Sequence, residues 1–145
     1  MPPLAQLQPT EPSLVDTHLP DEAAKRILVV DDDEFIRSMF STYLNEKYVA
    51  STAANSDDAL VQLAKETYGL VISDIQMPGT NGLDLPSLLA RAGHRVPVIF
   101  VTAHDTPETR CRAQSAGAAG YFRKPVDDQA LLDAIAWAIS GKHPN

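Results

Sequence analysis

The chain has 145 residues, 44% of them apolar, which is enough for one domain with a real core and leaves little room for a second. A formal charge of −7 excludes a sequence-independent grip on nucleic-acid phosphates, which needs clustered Lys and Arg. The lone Cys111 excludes an internal disulfide, and neither a secretory start nor a membrane-length apolar run is present. The expected setting is therefore the cytoplasm, with proteins, cations or small phosphorylated groups as partners and no membrane.

Residues 1–24 carry Pro2, Pro3, Pro9, Pro12 and Pro20 with no sustained period, which predicts a disordered or extended lead outside the fold. From Lys25 short apolar runs alternate with stretches of helical spacing, so the folded domain is expected over 25–141, with 142–145 as a tail. The first run, Ile27–Val30, leads into a helical stripe of Phe35, Ile36, Met39, Phe40, Tyr43 and Leu44. The second, Tyr48–Thr52, precedes a helix with Leu60, Leu63 and Ala64 on one face and Ser56 as its expected N-cap. The third, Leu70–Ser73, is followed by turn residues and then by a helix with Leu88 and Leu89, where Pro86 fits the first turn. After the fourth, Val98–Val101, Thr106 and Pro107 are suited to cap and open a helix whose apolar residues are all small. The fifth, Gly120–Phe122, leads to a last helix striped by Leu131, Ile135 and Ile139, with Trp137 on its opposite side.

Strands one, three and four lack polar alternation, as strands covered on both faces do. Five alternations of strand and helix with right-handed crossovers give an α/β fold, a doubly wound five-stranded parallel sheet with helices on both faces. In such sheets function gathers beyond the carboxyl ends of the strands. There the chain places Asp31-Asp32-Asp33-Glu34, Asp74, Thr102 and Lys124-Pro125.

If strands one and three are neighbours, Asp31, Asp32 and Asp74 converge and repel, and a hard divalent cation is the simplest remedy. Lys124 and Thr102 would add a point charge and a hydroxyl, completing the parts that phosphoryl transfer needs. Asp74 is the best nucleophile, because Met77-Pro78-Gly79 and Asn81-Gly82 after it would leave its side chain exposed in an open loop.

The segments Val29-Val30-Asp31-Asp32-Asp33-Glu34, Ile72-Ser73-Asp74-Ile75-Gln76-Met77-Pro78-Gly79 with Gly82, Val101-Thr102-Ala103 and Gly120-Tyr121-Phe122-Arg123-Lys124-Pro125 resemble four signature blocks of response-regulator receiver domains. They lie in the family's order within residues 26–140. The resemblance implies the chemotaxis-regulator-like strand order 2-1-3-4-5 and a signalling domain of two-component or phosphorelay systems, catalysing only its own phosphorylation and dephosphorylation. It implies that Asp74 takes a phosphoryl group from the phosphohistidine of a sensor histidine kinase or histidine phosphotransfer protein. Mg²⁺ or Mn²⁺ would be held by Asp31, Asp32, Asp74 and the Gln76 backbone carbonyl, and Lys124 would meet the phosphoryl group from a cis Lys-Pro bond. Thr102 and Tyr121 would switch, remodelling the face of the fourth helix, fifth strand and fifth helix for a downstream target or a homodimer.

Plainer readings stand beside these. Asp33 and Glu34 suit a helix start rather than the metal. The resemblance implies that His104 and the Gln76 side chain would lie where water's access to the phosphoryl group is tuned, with His104 equally read as a mere surface residue. No ligand pairing is visible among His18, His94, His104 and His143. Trp137 either covers a neighbouring helix or anchors a partner. The Asp31-x-Asp33 spacing also resembles the nucleophile motif of haloacid-dehalogenase-type Mg²⁺ phosphatases, although Glu34-Phe35 replaces that family's Gly-Thr; a receiver that only binds proteins is a further alternative. No output domain follows, so a stand-alone regulator is expected, with an excised receiver as the other reading.

Overall fold

Parallel pairing turns the five apolar runs into one sheet in this computed structural model, which describes residues 21–140. The strands are β1 (Arg26–Val30), β2 (Val49–Ala53), β3 (Leu70–Asp74), β4 (Val98–Thr102) and β5 (Gly120–Arg123), in the order β2-β1-β3-β4-β5. Their bounds fall within a residue of the apolar runs. Every residue of β3 and β4 is buried, as the missing polar alternation required.

Five helices cover the sheet: α1 (Glu34–Leu44), α2 (Ser56–Lys65), α3 (Leu85–Arg91), α4 (Pro107–Ser115) and α5 (Asp128–Ile139). Alternate strand residues point to opposite faces, so two cores form. Ile27, Val29, Ile72, Ile99 and Val101 meet α1 and α5 through Phe40, Leu44, Leu131 and Ile135. Leu28, Val30, Val71 and Phe100 meet α2, α3 and α4 through Leu63, Leu85, Leu89 and Ala113. This two-against-three division is the doubly wound arrangement expected.

Helix starts follow side-chain chemistry. Asp33 accepts the N–H groups of Phe35 and Ile36, and Thr106 accepts that of Thr109 with Pro107 opening α4. The α2 cap differs from expectation: Asn55, in extended backbone, accepts the Asp58 N–H at 2.8 Å, and Ser56 is already the first helical residue. The α1 stripe is also narrower than its spacing suggested. Phe40 and Leu44 are buried, whereas Phe35 and Met39 are 72% and 47% exposed, because one sheet face accepts only the narrower arc of that helix.

Packing begins earlier than Lys25. A single helical turn, Asp21–Ala24, buries Ala23, and a side chain at Gly69 would collide with the Ala24 carbonyl. The rest of the expected lead, residues 1–20, and residues 141–145 lie outside the described residues.

Candidate functional site

Strand register decides which polar ends meet. Val30 pairs with Ser73, so Asp31 and Asp74 come level one step beyond, and Asp74 pairs with Val101 of β4. Thr102 pairs with Arg123, and the Lys124 N–H donates to the Thr102 carbonyl at 2.8 Å, which turns Lys124 back over the same end of the sheet. The Lys124-Pro125 bond is cis.

One carboxylate oxygen from each of Asp31, Asp32 and Asp74 lies within 4.8 Å of the other two. Two unit charges about 5 Å apart repel by roughly 3–4 kcal/mol at an effective dielectric near 20. Lys124 relieves part of this, with its ammonium 2.9 Å from Asp31 Oδ2 and 3.4 Å from Asp74 Oδ2. Arg37 brings a second positive charge by donating to the Asp31 carbonyl at 2.6 Å. Sequence reasoning missed Arg37; its place one turn after the Asp33 cap is the signal that could have found it.

The remaining valences are ordered. Asp31 Oδ1 accepts the Asp33 N–H at 2.9 Å, and Asp74 Oδ1 accepts the Ile75 N–H at 2.7 Å. Asp74 Oδ2 is thus the oxygen without a backbone donor. Asp31 and Asp74 are 2% and 9% exposed, while Asp32 faces solvent, so the cluster opens in one direction. An all-oxygen set with two held carboxylates and an open side fits a hard divalent cation that keeps several waters.

Asp74 is therefore not in an exposed loop, contrary to the sequence expectation, because β1 and β4 flank its strand and the following segment folds over it. That segment forms a small ladder of Gln76–Met77 with Thr80–Asn81, turned at Gly79 with φ 73°. The Gly82 N–H donates to the Ile75 carbonyl at 2.6 Å, and any Cβ at Gly82 would run into the Asp74 carbonyl. Burial, the first cause, raises the Asp74 pKa; Lys124 opposes it and Asp31 adds to it. Burial pulls the Lys124 pKa down, but its bonds and attraction to Asp31 and Asp74 outweigh this and hold it above the ordinary value.

Thr102 is fully buried, and its hydroxyl oxygen accepts the His104 N–H at 3.0 Å. Gln76 and His104 are exposed beside the cluster, and Trp137 is 50% exposed on α5. Tyr121 is half-buried, and its hydroxyl donates to Asp105 Oδ1 at 3.1 Å. The other Asp105 oxygen pairs with Arg110, whose guanidinium lies 5.5 Å from the Tyr121 ring centre. Alongside the carboxylates, rather than over them, an apolar groove of about 510 Å³ runs between α1 and Pro125-Val126.

A family model of the response regulator receiver domain matches residues 27–136. The response regulator FleR of Pseudomonas aeruginosa is 36% identical over 124 residues, covering 83% of this chain but only 26% of FleR. The chain thus spans about a quarter of that relative's length. The chemotaxis protein CheY of Halobacterium salinarum is 32% identical over 114 residues, covering 78% of this chain and 95% of CheY. The beryllofluoride-activated NtrC4 receiver domain dimer superposes with a TM-score of 0.76 at 28% identity, covering 81% of this chain and 98% of that one. Among the described residues no helix is long and apolar enough to cross a membrane.

Proposed function

The chain belongs to the response-regulator receiver family, and from that premise we propose that Asp74 is its phosphoacceptor, charged by the phosphohistidine of a sensor kinase or phosphotransfer protein in the cytoplasm. The observation that carries this reading is the meeting of Asp31, Asp32 and Asp74 with Lys124 at one end of the sheet.

Asp74 Oδ2 attacks phosphorus while the phosphorus–nitrogen bond of the donor breaks and its electron pair returns to the imidazole. An acyl phosphate forms on Asp74; its hydrolysis restores the carboxylate and releases inorganic phosphate. The Ile75 N–H fixes the other oxygen and so aims the attacking one. Lys124 exchanges its contact with Asp74 for one with a phosphoryl oxygen and keeps Asp31. Asp31, Asp32 and Asp74, one of the first two through water, and the Gln76 carbonyl would hold Mg²⁺ or Mn²⁺, which when bound neutralises charge on the transferred group. The phosphoryl group adds about −1.5 to −2 charge, which draws the Thr102 hydroxyl toward it and lets Tyr121 turn inward. The face of α4, β5 and α5, with Tyr121 and Trp137 as candidate contacts, then engages a downstream protein or a second copy. The activated dimer of the NtrC4 receiver supports the second option for that relative.

The test is labelling by radioactive acetyl phosphate with Mg²⁺. Wild type is expected to gain label and Asp74→Asn to lose it by at least ~100-fold. Label persisting in Asp74→Asn but lost in Asp31→Asn would point to dehalogenase-type attack, and an unlabelled wild type would leave a receiver that only binds proteins.

A further inference from the structure

Tyr121 is held from outside its own strand, and nothing in the receiver chemistry above requires that hold. We propose that Asp105 is a positioning residue for Tyr121: its carboxylate ties the phenol hydroxyl to the loop after β4 and to Arg110 of α4, so that inward rotation must first break this tie. The inference rests on the reading of Tyr121 as the switch and adds to it the residue that sets the switch's resting bias.

The geometry is that of a three-member clamp. Asp105 Oδ1 accepts from the Tyr121 hydroxyl at 3.1 Å, Oδ2 pairs with the Arg110 guanidinium, and the guanidinium lies over the Tyr121 ring at 5.5 Å, closing the triangle. The protonation states suit these roles. The Arg110 hydrogen bond, first among its causes, holds the Asp105 carboxyl below its ordinary value, with Tyr121 and Arg123 acting in the same direction. Burial first, and Asp105 next, raises the Tyr121 hydroxyl, so it stays a proton donor.

Asp105 also stands one residue after His104, whose N–H donates to the Thr102 hydroxyl oxygen. A Thr102 hydroxyl drawn toward a phosphoryl group therefore pulls on the backbone that carries the clamp. Both halves of the switch thus share one short segment, Thr102 to Asp105. A charge-assisted hydrogen bond of this kind favours the resting packing, and a ligand that favours the other packing must bind more weakly by the same factor.

The measurement is the dissociation constant for beryllofluoride at saturating Mg²⁺, by calorimetry, across a double-mutant cycle. Asp105→Ala is expected to tighten binding about fivefold, the size expected for one lost hydrogen bond. In a Tyr121→Phe background the same change is expected to do nothing, because no hydroxyl remains to be released. Asp105→Glu is expected to restore binding towards the wild-type value. Unchanged affinity in Asp105→Ala, or an equal gain in the Tyr121→Phe background, overturns the clamp while leaving the phosphoacceptor reading intact. Failure of wild type itself to bind beryllofluoride overturns both.

Discussion

Asp74 carries a carboxylate that burial makes harder to ionise, with Lys124 opposing and Asp31 reinforcing that shift. Its folded pKa stands above the unfolded one, so folding is favoured by the protonated form. That favourable contribution is complete below the ordinary carboxylate range and is lost as pH rises through the raised value. Without metal, Asp74→Asn should therefore be more stable than wild type at neutral pH. The gap should close on acidification; urea titrations at several pH values check both the sign and the window. Asp31, Asp32, Asp74 and Lys124 are legible in the sequence because each sits at a strand end and register brings those ends together. Asp105 and Arg110 are not, because their link to Tyr121 spans separate elements and depends on how α4 sits beside β5.

At the scale of elements, α5 separates two kinds of apolar residue within one turn. Ile135 is fully buried against β1, β3 and β4 residues, whereas Trp137 is 50% exposed. Ile135→Ala should cost about 2–5 kcal/mol, and Trp137→Ala about 1 kcal/mol or less, when both are compared by chemical denaturation of the monomer. A larger loss at Trp137 would mean that its ring supports the fold rather than facing a partner. The three central strands, β1, β3 and β4, are readable because uninterrupted apolar runs leave them no other place than the middle of a sheet. The two-residue ladder at Gln76–Met77 is not, since two residues have no period. Likewise Phe35 and Met39 share the helical spacing of Phe40 and Leu44, but spacing alone does not say how wide an arc the sheet can cover.

For the whole molecule, the surplus of negative charge at one end of the sheet would couple the binding of a cation there to folding. If Mg²⁺ binds the native cluster and not the unfolded chain, a concentration a hundred times the dissociation constant adds about 2.7 kcal/mol of stability. Thermal melts with and without Mg²⁺ should show that gain in wild type and its loss in Asp31→Asn, whereas the same salt as NaCl should not reproduce it. The described turn at Asp21–Ala24 escaped the sequence reading because four residues carry too little pattern; the burial of Ala23 and the close approach at Gly69 reveal that they belong to the packed unit.

The sandwiching of β3 and β4 has a further consequence. Strands bonded on both edges and covered on both sides form a plate too stiff to absorb a local push, so mechanical work done at Asp74 must travel along the rim. Amide deuteration at Ile72 and Ile99 should be equally slow with and without beryllofluoride, while the segment from His104 to Arg110 speeds up or slows down. A sheet whose interior amides changed instead would be acting as a spring, and the signal would then pass through the slab rather than around it.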